Sequence, residues 1–312
     1  MTNKLRLALL AGGKSGEREV SLAGARGVLA ALDKEKYAVR QYDPATDLVR
    51  LAADAADLDV AFILLHGPLG EDGSMQGFLD LLGLPYQGSG VLGSALAMNK
   101  NLAKILYKQA GLRVADWSMA SLRDIDSPEN LSAQLRFPLV VKPVAQGSSL
   151  GMSIAHDNTA LATGLKRAFD YDSEVMVEEF VRGREITGGV LGNNDLQALP
   201  LVEIIPGKDY QFFDYEAKYK AGASREICPA DFPEEITIKA QDYALRAHRA
   251  LHLRGYSRTD MIVSEEGEVF VIETNTIPGM TPTSLLPQAA QAVGYSFPQL
   301  LDQLIGLALG EK

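Results

Sequence analysis

The sequence predicts two fold classes in one chain: a parallel α/β unit at the N-terminus and an α+β arrangement after it. Three observations lead there. Residues 5–10 and 60–65 are short apolar runs that end near glycines (Gly12-Gly13 and Gly67), with helix-spaced apolar residues after each. Strand, glycine turn, helix, strand is the grammar of a parallel sheet with crossover helices. From Phe137 onward, short β runs with hairpin-type turns replace that alternation, and 312 residues exceed the usual span of one compact unit.

Taken in order, Leu22, Ala25, Val28, Leu29 and Leu32 form one stripe of a helix over residues 20–32, and residues 75–82 repeat the pattern. Ligands of parallel sheets bind at the carboxyl ends of the strands, which places residues 12–17 and 66–73 beside a ligand. A Gly/Ser crossing at 88–94 marks a domain boundary, and a helix is expected from 95 to 109, stopped by Gly111. Strands are expected at 139–142, 152–155, 175–181, 187–191 and 199–205. A helix at 236–251 follows, then two strands, 256–263 and 268–274, joined by Ser264-Glu265-Glu266-Gly267.

Composition narrows the function. Thirty Lys and Arg stand against 40 Asp and Glu, a formal net charge of −10, which disfavours non-specific nucleic-acid binding. A single cysteine, Cys228, excludes an intrachain disulfide and a multi-cysteine zinc site, and reads as a small buried hydrophobe. No apolar run approaches the roughly 18 residues of a membrane span, and no signal-peptide pattern is visible. A soluble protein of the reducing cytoplasm is expected.

Several tempting motifs fail. Gly13-Lys14-Ser15 resembles the tail of a P-loop, but Ala8 stands where that loop needs glycine. His248 and His252 have the spacing of a zinc pair, but Arg249 replaces the general-base glutamate, so a solvated helix face is expected. No Gly-x-Ser-x-Gly elbow supports a hydrolase.

Three constellations carry chemistry. In the C-terminal hairpin, Arg258 and Asp260 share one strand face, as do Glu273 and Asn275. If Val263 pairs with Glu268, Asp260 lies opposite Val271 and all four polar groups fall on one side of an otherwise apolar hairpin. Two carboxylates and an amide oxygen are hard ligands suited to Mg²⁺. Residues 277–284 follow, where the Gly279 N–H and a helix start near Ser284 suit a carboxylate or oxyanion, Ser284 doubling as helix cap. Second, Lys142 leads into Gly147-Ser148-Ser149-Leu150-Gly151, whose donors can close over phosphate oxygens. Third, Glu178, Glu179 and Glu185 cluster near a strand end; alone they read as surface charge, but acids there can also accept from an adenine amino group or ribose hydroxyls.

In this order the pieces resemble the D-alanine–D-alanine ligase family of ATP-grasp enzymes over essentially the whole chain. The matching stretches are Ala11-Gly12-Gly13-Lys14-Ser15-Gly16-Glu17-Arg18-Glu19-Val20-Ser21, Leu65-His66-Gly67 with Gly70-Glu71-Asp72-Gly73, Val141-Lys142-Pro143, Gly147 through Ser153, Asp214-Tyr215-Glu216-Ala217-Lys218-Tyr219, and Glu273 through Thr281. The resemblance implies a pre-ATP-grasp, substrate-binding α/β domain (1–94) and a two-subdomain ATP-grasp fold: a central part (95–184) and a C-terminal part with the metal and substrate site (185–312).

It further implies that Lys100, Lys142 and Lys218 meet ATP phosphates under a lid that includes Ser148, Ser149 and Gly151. Glu178, Glu179, Phe180 and Val181 would face adenine, and Glu185 the ribose. Asp260, Glu273 and Asn275 would hold two Mg²⁺, Mn²⁺ being an alternative. Glu17, with His66, would engage the first D-alanine's ammonium, Ser284 the second one's carboxylate, and Arg258 with the Gly279 N–H the tetrahedral oxyanion. Glu17, Ser148 and Tyr219 would latch a mobile loop around residues 210–223, and the Lys218-Tyr219 pair favours dipeptide over depsipeptide. A homodimer is implied as well. The competing readings are another ATP-grasp carboxylate–amine ligase and a non-catalytic binder of nucleotide or amino acid.

Overall fold

The computed structural model describes residues 4–147, 149–207 and 224–310. Ser148, Lys218, Tyr219 and the lid expected over 210–223 lie outside the described residues.

Strand β1 (Leu5–Leu10) lies between β2 (Tyr37–Tyr42) and β3 (Val60–Ile63), both parallel to it. Both faces of this sheet are covered, which explains the continuous apolar runs. Leu7 and Leu9 join one core with Val28 of helix α1 (Arg18–Ala31), whereas Ala8 and Leu10 join another with Leu51 of α2 (Leu48–Asp54) and Leu79 of α3 (Ser74–Leu81). The first core also takes Leu286 and Ala290 of α9 (Leu285–Ala292) and Leu300 and Leu304 of α10 (Phe297–Ala308), so the two ends of the chain share one interior.

The helix expected over 95–109 is two helices, α4 (Val91–Met98) and α5 (Lys100–Gln109). Asn99 leaves helical geometry between them, and its side chain accepts from the Leu102 N–H at 3.0 Å, an N-cap that restarts the helix at Lys100.

Beyond it, strands β4 (Trp117–Ala120), β5 (Leu139–Pro143), β6 (Ser153–Ala155) and β7 (Val175–Glu179) form an antiparallel sheet in the order β4-β7-β5-β6. The short α6 (Glu129–Ser132) and α7 (Asn158–Phe169) cover it, with Leu161 and Leu165 packed on Val141 and Val177. A second sheet has the order β11-β10-β8-β12-β13, with β9 on β8. Its strands are β8 (Gly183–Gly192), β9 (Gln197–Ala198), β10 (Val202–Pro206), β11 (Ser224–Ile227), β12 (Gly255–Ser264) and β13 (Val269–Asn275). Of the run expected at 199–205, only Val202 onward is strand: β9 ends at Ala198, and residues 199–201 separate it from β10.

Helix α8 (Glu234–Ala250) packs on this sheet through Ala240, Ala244 and Ala247. His248 shares that face: it is buried, with Nδ1 2.8 Å from Ser257 Oγ, and burial pulls its pKa down to about 4. The expected solvated helix face is therefore wrong for His248, because residues 240, 244, 247 and 248 fall on one stripe. His252, past the helix end, is exposed. Half-buried Cys228 packs beside the first core. Among the described residues no helix is long and apolar enough to cross a membrane.

Candidate functional site

The two antiparallel sheets face each other across a cleft. One wall carries Val140, Lys142, Ile154 and Glu178; the other carries Asp260, Ile262, Ile272 and Glu273, with Lys100, Ser149, Glu179 to Val181 and Glu185 around the rim. Apolar walls with a few convergent charges are the usual make-up of a small-molecule site.

The hairpin β12–β13 differs from its expected register. Val263 pairs with Val269 rather than Glu268, and Asp260 lies opposite Glu273 rather than Val271. Two one-residue offsets add up: the turn side already pairs Val263 with Val269, and a bulge follows, since Met261 pairs with Val271 but Asp260 with Glu273, leaving Ile272 as the extra residue. The bulge turns both Ile272 and Glu273 into the cleft, which strict alternation forbids. Arg258 pairs with Asn275, so the four polar residues share one face as expected, by a different route. On the other face Thr259 Oγ1 meets Thr274 Oγ1 at 3.0 Å, and Tyr107 of α5 donates to Thr274 at 2.8 Å.

Arg258 grips Asp260 with two bonds, Nε to Oδ1 at 2.8 Å and Nη2 to Oδ2 at 2.7 Å, and Asn275 Nδ2 donates to Asp260 Oδ2 at 3.0 Å. Glu273 Oε2 lies 3.6 Å from Lys100 Nζ, which also donates to the Gln146 carbonyl at 2.7 Å. Asp260, Glu273 and Asn275 fit a Mg²⁺ site: two carboxylates directly opposed, with an amide alongside, are too few ligands to cage an ion and suited to sharing one with phosphates and water.

On the opposite wall, Glu178 is buried between two lysines, with Oε1 2.5 Å from Lys142 Nζ and Oε2 2.5 Å from Lys104 Nζ. Burial pushes its carboxyl up, but the two ammonium groups together outweigh that and hold it at about 2. Glu179 points elsewhere, to a forked pair with Arg136 whose Nη2 contact is 3.1 Å. The Phe180 N–H donates to the Pro138 carbonyl at 2.9 Å. Ser149 starts a turn in which its carbonyl accepts from Met152 at 3.2 Å, and the Leu150 N–H returns to Gly147 at 3.2 Å.

A third group gathers at the ends of β1 and β3. Glu17, at the start of α1, is buried, and the electrostatics of His66 register both Glu17 and Arg258. Burial, more than Arg258, keeps the His66 pKa below its ordinary value against the pull of Glu17, so its imidazole is neutral near pH 7. Glycine is required around Glu17: a Cβ at Gly147 would come within 2.8 Å of Glu17 Oε2, and one at Gly67 (φ +70°) within 3.1 Å. The loop itself is pinned by Arg18, which donates to the Gly13 carbonyl at 2.8 Å and to Asp43 at 2.5 Å, while the Gly13 N–H donates to Asp43 at 2.9 Å. That pairing holds the Asp43 carboxyl at about 2.

Gly279 and Ser284 are neighbours, since a Cβ at Gly279 would meet Ser284 Oγ at 3.1 Å. Ser284 takes the N-cap position of α9, but its hydroxyl makes no cap bond. It contacts Thr281 Oγ1 at 2.8 Å and accepts from the Thr281 N–H at 3.1 Å. The expected double role as cap therefore fails, because the 281–284 turn claims the oxygen first.

Sequence reasoning missed Lys104, Glu71, Arg18 and Asp43. Glu71 accepts from the Gly67 N–H at 2.7 Å, and burial together with Glu17 pushes its carboxyl up to about 8. Lys104 had one signal, its four-residue spacing from Lys100 on a helix. Glu71 lies in a stretch quoted above, but its partners come from elsewhere in the chain.

A profile of the D-ala D-ala ligase C-terminus matches residues 106–306, and one of the N-terminus matches residues 45–89. The chain belongs to the D-alanine–D-alanine ligase family. A D-alanine–D-alanine ligase of Desulfotalea psychrophila is 62% identical over 307 residues, covering 98% of this chain and 95% of that one. Among solved structures, the D-alanine–D-alanine ligase of Bacillus anthracis complexed with ATP superposes with a TM-score of 0.84 at 34% identity, over 98% of each chain. The VanG D-Ala:D-Ser ligase of Enterococcus faecalis does so at 0.86 and 31%, over 98% of this chain and all of that one. The ATP-grasp fold expected for the family is the fold observed.

Proposed function

We infer that the chain joins two D-alanine molecules into D-alanyl-D-alanine, with ATP converted to ADP and phosphate through an acyl phosphate. The product suits peptidoglycan precursor synthesis. The observation that carries this reading is the facing pair of walls: Arg258, Asp260, Glu273 and Asn275 on one side of a cleft and Lys142 on the other. A plain nucleotide binder has no need of a fixed guanidinium beside two opposed carboxylates.

In this reading the first D-alanine's carboxylate attacks the γ-phosphate, and the second D-alanine's amine attacks the resulting acyl carbon as phosphate leaves. Lys100 and Lys142 engage the phosphates, joined by Lys218, with Ser148, Ser149 and Gly151 forming the cover. Glu178 and the strand end through Val181 receive adenine, and Glu185 the ribose. Asp260, Glu273 and Asn275 hold two Mg²⁺, whose charge offsets that of the phosphates when bound. Arg258 is already immobilised by its two bonds to Asp260, so its charge meets the tetrahedral oxyanion without reorganising. The Gly279 N–H supports the same oxygen. Glu17 and His66 receive the first D-alanine's ammonium, Ser284 the second one's carboxylate, and Tyr219 latches the lid that keeps water from the acyl phosphate. A cytoplasmic homodimer is part of the proposal.

The test is ADP and phosphate release in Mg²⁺, measured with D-alanine, L-alanine, D-serine and D-lactate. D-alanine alone should support strong release of both products. The D-Ala:D-Ser neighbour makes D-serine the informative competitor: strong release only with D-alanine plus D-serine would change the second substrate. ATP binding without ADP formation on any of them would sink the ligase reading.

A further inference from the structure

Lys104 has no part in the chemistry above, yet only 1% of it is exposed. Its ammonium lies 2.5 Å from Glu178 Oε2 and 5.0 Å from the centroid of the Trp117 ring, and Trp117 sits directly opposite Glu178 on the neighbouring strand. Trp117 is itself fixed, since Nε1 donates to Asn101 Oδ1 at 2.9 Å. Lys142 and Glu178 line the cleft; Lys104 does not, and stands behind them. It cannot touch a nucleotide.

We propose that Lys104 is a positioning residue for the nucleotide site, a permanent counterion to Glu178 that frees Lys142 to leave Glu178 for the incoming phosphates. The proposal rests on the reading that Lys142 engages phosphate. The charge count makes the case. Two buried cations share one buried anion, an excess that a lone ion pair would not need. When Lys142 turns to a phosphate, Lys104 and Glu178 remain as a neutral pair. Without Lys104, the same turn would strand a buried carboxylate, the costly arrangement for an ion pair deprived of one partner. Helix α5 supplies both levels of this device: Lys100 and Lys104, four residues apart on one face, reach respectively the Glu273 carboxylate at the cleft and the Glu178 carboxylate behind it.

The test measures ATP affinity by calorimetry in Mg²⁺, and steady-state constants, for Lys104→Met and Lys104→Arg, for Lys104→Met in a Glu178→Gln background, and for Lys142→Ala. Lys104→Met should weaken ATP binding about 30-fold, raising KM for ATP more than it lowers kcat. Lys104→Arg, which keeps the cation, should stay within about threefold of the native chain. In the Glu178→Gln background the anion is gone, so Lys104→Met should cost less than about threefold. An equal loss in both backgrounds means mere packing, and native affinity in a folded Lys104→Met chain is equally fatal to the proposal. Should Lys104→Met alone not fold, the comparison of Glu178→Gln with the double variant decides: equal ATP affinity supports the proposal, and a double variant that does not fold or bind overturns it. Lys142→Ala separates the two levels. If it leaves ATP affinity unchanged, the nucleotide-site reading fails; if it weakens binding while Lys104→Met does not, only the role of Lys104 falls.

Discussion

Asp260 accepts three hydrogen bonds on two oxygens, from both prongs of Arg258 and from Asn275, while Glu273 opposite it is met by Lys100. Asp260 is thus a fixed anchor for Arg258, and in the proposed reaction Glu273, directly opposite it, shares the metal. Glu273→Gln should therefore lower turnover by about 10³-fold or more while leaving the melting temperature nearly native; activity within tenfold of native would remove Glu273 from the metal set. Glu71 gives a pH signature of opposite sense to ordinary acid unfolding. Its carboxyl sits at about 8 in the fold against an ordinary 4.5. The folded chain thus keeps a proton that the unfolded chain releases. Its contribution to stability is intact below pH 4.5, falls as pH rises to about 8, and stays lost above that. Glu71→Gln should remove this slope and, near pH 8.5, stabilise the chain by on the order of 2 kcal/mol, with its partial exposure discounted. Denaturant titrations of both chains at pH 5 and 8.5 check it, and parallel slopes would count against the raised pKa.

At the scale of elements, a single cap decides where Lys100 sits in its helix. Asn99 ends α4 and restarts α5, so Lys100 occupies the first turn of a new helix rather than the middle of an old one. Asn99→Ala should cost about 1 kcal/mol of stability and, by loosening Lys100, raise KM for ATP; a chain equally stable and equally active would show that the cap contributes nothing. Most elements were legible because their signals are local: β1 and β3 as apolar runs, α1 as a stripe of apolar residues, the 256–274 hairpin as two strands about a glycine turn. The bulge at Ile272 was not, since a bulge inserts one residue without altering composition, and it shifts the pairing of residues 258–260 but not that of 261–263. His248 was misread for a related reason. Its own helix offers several faces, and only the sheet beneath selects the one that is buried.

The whole molecule brings together groups distant in the chain. Lys100, Lys142 and Glu178, Glu17 and His66, and Asp260 and Glu273 converge because the N-terminal sheet shares a core with the last two helices and the two antiparallel sheets leave a cleft between them. A ligand held between separate sheets stabilises every contact needed to keep them facing. ATP with Mg²⁺ at about 100 times its Kd should add about 2.7 kcal/mol to unfolding. Thermal melts with nucleotide, and with nucleotide plus a chelator, check this; a gain that survives chelation would place nucleotide binding outside the proposed metal site.

The order and chemistry of the motifs were written in the amino-acid sequence, because a glycine beside a strand end, a lysine before a Gly/Ser loop and alternating acids on a hairpin constrain local geometry wherever they occur. The tertiary structure alone decided that Lys104 would stand behind Glu178, that Glu71 would lie beside Glu17, and that Asp260 would oppose Glu273. Those outcomes depend on desolvation and on contacts between segments far apart in the chain, and neither is encoded in the neighbourhood of any one residue.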